Sequence, residues 1–596
     1  MMRGARSVGA GSEHGLNTKE GGGPFRAGVR PRSARGEGGL VTKPGRKQTR
    51  RGGSPLPSRK LLAASSVLFI VVGLGIYSAA FRGPFLADDL HYIPQNPYVT
   101  DPSAGRLLEV LDPTGQPVVL VHNYSPVHLL LHTAEYQLFD TSVAGYHLVN
   151  VLVHALASAL LVLLLRRSGV ADGAALFGGA FFLVHPANVE AVAWISQLKT
   201  SSALVLTLLA LLALERRPAL STLAFGLGLL AKPTAALALP VAAVLTWLRR
   251  AGRARIEHRR TLLWLGVWSA VFAAFVVAEM LAVGRTITYV EPIDPDPWVR
   301  LRSSVALVAR YLEMAATSRG LSVFHEPGPA LSPLDLGWLA GLAVIAAITA
   351  RTLVALRARR EEAAWWIWAA VAFLPVCQIF PFPYPLADRY LYPILPGLIG
   401  GTLLAVESLL PRLRLRGPWP GRVGAIVAIA VLATLSLRAH DRARIWAVPA
   451  LVLADAAAHY PDGTHGHLLR ARRQVESGRP REAVASLRAA YERGFDGFEQ
   501  ILQGNAFQHL RGDPDFDAVI HDMAAHRIEL FGGRPNPTQA EIFAVGIAHH
   551  ARGEIDLARH AFEQVLERRG PLNEHAQRAL AELSPRGGAS RKRSSE

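Results

Sequence analysis

Polar and apolar positions are not mixed evenly along this chain. Between residues 61 and 437 the apolar residues come in blocks of about 13 to 23, separated by short polar pieces. A bilayer core needs about 20 apolar residues per helix. The pattern therefore predicts an all-α, polytopic membrane region over 61–440. Lys and Arg collect on the cytoplasmic flanks of such spans, which lets the crossings be threaded. Block 61–81 leaves the cytoplasm and 145–165 returns to Arg166-Arg167. Block 173–194 goes out, interrupted near its outer end by His185-Pro186, and 201–214 returns to Glu215-Arg216-Arg217. The short pair 219–231 and 235–248 goes out and back to a basic loop over 249–260, and 261–283 exits. The stretch 305–317 is apolar on one side but carries Arg310 and Glu313. If it crossed, the four arginines of 351–360 would land outside, so the charge rule lays it along the outer interface. Then 336–350 enters, 364–380 exits, 391–410 enters and 423–437 exits, for eleven crossings with the N-terminus cytoplasmic.

This threading puts the long irregular stretches on the outer face: 82–123 within a larger loop 82–144, then 285–300, 319–333 and 381–389. After residue 444 the pattern becomes that of soluble helices, over 445–583. There Gly546, Ala548 and Ala551 precede a turn at Gly553, and Ile555, Ala558, Ala561, Phe562 and Val565 follow on a second helix. Small residues at helix-crossing positions with a Gly turn match a tetratricopeptide unit. A second candidate is 467–493, with Gly478, Pro480, Ala483, Leu487 and Ala490, and 496–531 is expected to pack as an extra helical piece. An ordinary helical hairpin is the alternative for both.

Composition agrees with the membrane reading, since half the residues are apolar and only 18% are charged, against about 25% in soluble domains. The net charge of +18 suggests nucleic acid until it is located. Residues 1–60 hold 14 basic against 3 acidic side chains in a Gly-, Ser- and Pro-rich stretch. Such a stretch buries too little surface to fold, so it reads as a disordered cytoplasmic tail against anionic lipid, with no nucleic-acid partner. Residues 584–596 read as a second basic, disordered tail. The single cysteine, Cys377, excludes a disulfide scaffold and a cysteine metal cluster.

Candidate chemistry gathers at the outer ends of the spans. Asp88 and Asp89 follow the first exit, and a carboxylate there could take the proton of an acceptor hydroxyl. A solvated loop start or a helix cap is the plainer reading. His128, His132 and Glu135 share one helical face, a spacing that suits a metal, although an interfacial helix with its polar side in water is the simpler expectation. His185, Glu190, Lys199 and Lys232 lie at or near outer ends, and Asp388-Arg389-Tyr390 sits at another. Several cations meeting in one outer cavity would suit an anionic head group such as phosphate.

These residues fall into motifs. Asp88-Asp89 with Asn96-Pro97, Tyr124-Ser125-Pro126, Gly145-Tyr146-His147 with Asn150 and His154, His185-Pro186 with Glu190 and Val192-Ala193-Trp194-Ile195-Ser196, Leu230-Ala231-Lys232-Pro233, and Asp388-Arg389-Tyr390 with Tyr392 occur in that order. Together they resemble the bacterial relatives of the transmembrane and tetratricopeptide repeat-containing O-mannosyltransferases. The resemblance covers roughly residues 82 to 400 and the C-terminal repeats. It implies a GT-C glycosyltransferase that moves a sugar from a polyprenyl-phosphate carrier to a protein or envelope hydroxyl outside the cell (inner) membrane, with no obligatory cofactor. It makes Asp88 and Asp89 the catalytic pair. The cations Lys199, Lys232, Arg389 and His185 would hold the donor phosphate, with Tyr124, His147, Glu190, Asp388 and Tyr390 around the cavity. The repeats would meet the protein partner or acceptor. Leu198 and Thr200 stand where relatives usually carry Arg and Asp, and Ser125 where they carry Arg. A non-catalytic membrane scaffold whose outer repeats recruit envelope proteins is the second reading. A transporter is the third, disfavoured by uniformly apolar cytoplasmic halves.

Overall fold

Helices form where the apolar blocks predict them. The computed structural model describes residues 59–583 except 251–253, 287–291, 383, 411–418, 569 and 571. The two predicted tails lie outside the described residues, save Arg59 and Lys60, which open the first helix. Among the described residues every regular element is helical. Six helices are long and apolar enough to cross a membrane: Val143–Arg167, Ile195–Ala213, Arg255–Val283, Leu336–Arg357, Asp388–Leu409 and Arg422–Ile445. Asp172–Val184 and Pro186–Ala193, bent by 50°, make a seventh when taken as one broken span. Four shorter apolar helices are Ala64–Tyr77, Pro218–Ala231, Pro233–Arg249 and Glu362–Val376. One of these elements stands at each of the eleven predicted blocks, so the chain is an all-α, polytopic membrane protein.

The break at His185-Pro186 is resolved internally. Pro186 has no amide hydrogen and ends the helix. Asn188 Nδ2 donates to the Phe182 carbonyl (2.7 Å), and His185 Nδ1 accepts the Ala187 amide (3.2 Å). Backbone groups at membrane depth need such partners, because lipid offers none. Close packing of Glu362–Phe373 on Asp388–Leu409 depends on small residues. A Cβ on Gly400 would lie 2.1 Å from the Trp365 ring, and one on Gly397 would lie 2.5 Å from the Ala369 amide nitrogen.

Ion pairs fix which helix ends share a side. Arg249 donates to Glu215 (2.9 Å) and Glu361 (2.6 Å), and Arg167 donates to Glu215 (2.6 Å). The ends at 167, 215, 249 and 361 therefore lie together. If Pro297–Thr317 crossed the membrane, Glu361 and Arg249 would fall on opposite sides. That helix is not among the apolar candidates, and it buries a single face through Val299, Ser303, Leu307, Tyr311 and Met314.

Two expectations need correction. The stretch 82–123 is not irregular: it folds into Asp89–Tyr92, Pro97–Thr100, Ala104–Glu109 and Gln116–Val121, ahead of the expected helix, which runs over Pro126–Phe139. Helices of 4 to 6 residues complete too few turns to show a 3.6-residue period. The polar face of Pro126–Phe139 is also not in water. His128 and His132 are fully buried and Glu135 nearly so. The Tyr92 and Tyr146 rings lie 5.1 Å and 6.4 Å from those histidines.

The C-terminal region is built of helical hairpins. Thr464–Glu476 turns at Gly478 (φ 71°) into Pro480–Glu492, and Gln539–Ala551 turns at Gly553 (φ 73°) into Ile555–Glu567. Both turns need the left-handed backbone that glycine adopts freely. Pro514–Gly532 runs between the hairpins, and Thr538 with Glu541 forms a capping box at the start of the second.

Candidate functional site

The loop after the first apolar helix is anchored by one of its two aspartates. Asp89 is buried, and its carboxylate accepts the Leu86 amide (2.9 Å) and the Ser196 amide (2.8 Å). Trp194 Nε1 adds a bond to the Leu86 carbonyl (3.3 Å). The turn on the far side is rigid because Asn150 Nδ2 reaches the carbonyls of Val192 (3.1 Å), Trp194 (3.3 Å) and Ile195 (3.2 Å). Burial pushes the Asp89 carboxyl up to about 6 despite the two amide donors. Asp88 differs. It caps the short helix Asp89–Tyr92 without a side-chain bond, is half-buried, and its carboxylate has no hydrogen bond or ion pair among the described residues. It sits within electrostatic reach of His91, which also feels Lys199, and of Tyr384, which also feels Arg389 and Glu190. The adjacent pair therefore divides, with Asp89 turned into the fold and Asp88 left open.

The predicted cations meet in part. Lys199 Nζ donates to the Tyr92 hydroxyl (3.0 Å) and lies 4.5 Å from the centre of that ring. Lys232 Nζ donates to Thr200 Oγ1 (2.7 Å), and Thr200 in turn donates to Gln197 (2.8 Å). Lys232 feels the charges of Lys199, Arg389 and Glu190. Neither lysine pairs with a carboxylate among the described residues. Arg389 is held more tightly. Its guanidinium pairs with Glu190, and its amide donates to Glu190 Oε2 (2.7 Å). The rings of Tyr384 (4.5 Å), Tyr390 (5.0 Å) and Trp194 (5.4 Å) surround it.

Other predicted residues lie elsewhere or are already engaged. Both ring nitrogens of His185 are used, one by the Ala187 amide and the other by the Ala315 carbonyl (3.1 Å), so it makes no free phosphate contact. Tyr124 donates to the Leu111 carbonyl (2.8 Å). His147 is buried against Phe81 (6.0 Å), and neither ring nitrogen has a hydrogen-bond partner among the described residues. Asp388 is buried between His325 (2.8 Å) and Arg442 (3.0 Å). His132 Nδ1 bonds Glu135 (2.6 Å), and burial pushes His128 well below its ordinary value. Among the described residues no three His, Cys, Asp or Glu side chains are arranged to hold a metal ion. Sequence reasoning did not single out Tyr92, Thr200, Tyr384 or His325 for chemistry. Tyr92, Thr200 and His325 meet Lys199, Lys232 and Asp388 across 107, 32 and 63 residues, separations that leave no local pattern.

No family model matches the sequence. Over 138 residues the chain is 32% identical to Protein O-mannosyl-transferase F38B6.6 of Caenorhabditis elegans, covering 21% of this chain and 19% of that protein. Over 160 residues it is 34% identical to Protein O-mannosyl-transferase Tmtc1 of Drosophila melanogaster, covering 26% of this chain and 18% of that protein. The chain thus spans about a fifth of the length of the curated relatives it matches. Within that stretch the family resemblance read from the motifs is borne out. The crystal structure of ArnT from Cupriavidus metallidurans in the apo state aligns with 85% of this chain and 81% of its own, at 18% identity and a TM-score of 0.34. A score that low carries nothing further.

Proposed function

We propose that the chain is a membrane glycosyltransferase of GT-C type. It takes a sugar from a polyprenyl-phosphate carrier and gives it to a hydroxyl on the outer face of the cell membrane. The observation that carries this reading is the open carboxylate of Asp88, which has His91 as a common neighbour with Lys199 and Tyr384 as a common neighbour with Arg389. Asp88 takes the proton of the acceptor hydroxyl as the sugar transfers. Lys199, Lys232 and the remaining donors of Arg389 receive the charge that builds on the leaving phosphate. A single displacement inverts the anomeric centre. Asp89 holds the loop in place and takes no proton. The C-terminal hairpins are read as tetratricopeptide-like and as the surface that meets a protein acceptor or partner.

The scaffold reading has one observation in its favour, namely that the Arg389 guanidinium already faces Glu190. Transfer by the reconstituted full chain separates the two. Offered a panel of polyprenyl-phosphate sugars, the parent protein should label a hydroxyl acceptor and the Asp88→Asn variant should not. A folded parent that transfers nothing from any donor would leave the scaffold.

A further inference from the structure

The segment 322–326 is bonded on two sides at once. Toward the soluble region, Glu326 accepts the Thr464 amide (2.8 Å), the Thr464 hydroxyl (3.1 Å) and His465 (3.4 Å). The helix Thr464–Glu476 has Gly463 at its N-cap, which brings no side chain, so Glu326 supplies the missing acceptor from a distant part of the chain. A Cβ on Gly463 would lie 2.7 Å from the Glu326 carboxylate, so any side chain there displaces it. The Phe324 ring stacks on His465 at 4.0 Å.

Toward the membrane region the same segment grips Asp388. His325 Nε2 lies 2.8 Å from Asp388 Oδ1, and the Ser322 amide lies 3.3 Å from that oxygen. An ionised carboxylate only accepts, so Nε2 donates to it, while Nδ1 lies 3.2 Å from the Tyr460 hydroxyl. The imidazole thus links Tyr460, beside the helix Pro449–His459, to the residue immediately before Arg389. A second line runs through rings, from Phe324 to Tyr384 (6.4 Å) and from Tyr384 to Arg389 (4.5 Å). The first line ends at Asp388, the chain neighbour of Arg389, and the second at the Arg389 guanidinium itself.

We infer that 322–326 is a strut that carries the position of the soluble helices to Arg389, with His325 as its positioning residue. This rests on the proposed role of Arg389 toward the donor phosphate. A protein acceptor that moves the helices Pro449–His459 and Thr464–Glu476 would then move the donor site with them, so that acceptor binding tunes donor binding. His325 touches neither substrate and acts through Asp388.

The test uses the full chain in lipid nanodiscs and has two readouts. Gly463→Ala displaces Glu326, and Tyr460→Phe removes the hydroxyl that meets His325 and Arg310. Amide hydrogen exchange should rise in 322–326 and also in 386–392 in both variants. Exchange changes confined to 455–466 in both would overturn the strut whatever the enzyme does. In the transfer assay, both variants should raise the donor KM about tenfold while kcat moves less than about twofold. His325→Gln, whose amide can still donate to Asp388, should keep more donor affinity than His325→Ala; equal loss in the two would also overturn the role given to Nε2. If exchange propagates as expected but the parent transfers no sugar, the mechanical link stands and the reading of Arg389 as a phosphate ligand falls.

Discussion

At the end of the bundle that carries Arg167, Glu215, Arg249, Arg351 and Glu361, the carboxylates of Glu215, Glu361 and Glu362 each face an arginine, with Arg351 on Glu362 at 2.8 Å. At the other end the pattern is mixed. Glu190 and Asp388 are buried against arginines, but Lys199 and Lys232 have only hydroxyl partners and Asp88 has none among the described residues. A partly buried charge without a counter-charge carries a desolvation cost that pairing would offset. Glu215, Glu361 and Glu362 thus have their counter-charges within the protein. On the function proposed above, a phosphate completes the other end, and its charge suits two lysines. Unpaired charge next to well-paired charge is thus the sign of function here, more than charge itself.

The comparison is broken most sharply at Asp88. Asp88→Asn keeps the shape and removes the open carboxylate, so transfer should fall by roughly 10²–10⁴-fold with folding intact. Asp89→Asn should cost less in rate and more in order of the loop, because it loses one of two amide contacts. Equal rates for the parent and Asp88→Asn would remove the general base from the mechanism. Asp89 also gives a pH test. Its carboxyl is pushed from an ordinary 3.8 up to about 6, so the folded state holds its proton more tightly than the unfolded chain. Its contribution is full below the ordinary value and is lost as pH rises through about 6, on the order of 3 kcal/mol in all. Exchange protection of 86–93, corrected for intrinsic rates, should fall between pH 4 and pH 7. A flat profile, or an equal fall in Asp89→Asn, would assign the effect to another group.

Lys232 is the next step down. Lys232→Ala should weaken polyprenyl-phosphate binding by about 1.5–3 kcal/mol, the worth of a charge-assisted contact in a dry site. Titration of the phosphate carrier without sugar measures it. Lys232→Arg should recover part of the loss if charge is what matters, and unchanged binding in both variants would return Lys232 to a structural role through Thr200.

The membrane architecture was legible because each span writes its own local signal in apolar length and basic flanks. Even the broken span announced itself through His185-Pro186. The site was legible only in its ingredients. Nothing in the sequence ties Glu190 to Arg389 or His325 to Asp388, which lie 199 and 63 residues apart. His185 was read as a cation for phosphate because it lies at a span end, and its two backbone partners could not be seen from there. His128 and His132 were placed in water because an amphipathic period says which residues share a face, not what covers that face.

The smallest effect comes from the paired end, and it is the one that makes the contrast quantitative. Arg249 bridges Glu215 and Glu361, side chains that are 28% and 21% exposed. Solvent screens pairs at that exposure, and holding long side chains in one geometry costs entropy, so the bridge is worth about 1 kcal/mol. Arg249→Met keeps the apolar stem and removes the guanidinium, which should lower thermal stability by about that amount. Donor affinity and transfer rate should not change, because the Arg249 guanidinium is already taken up by Glu215 and Glu361. Fluorescence-monitored unfolding and the transfer assay on the same preparation decide it. A rate loss matching that of Lys232→Ala would mean that the two ends are coupled through the bundle, and the division between paired and unpaired charge would no longer separate structure from function.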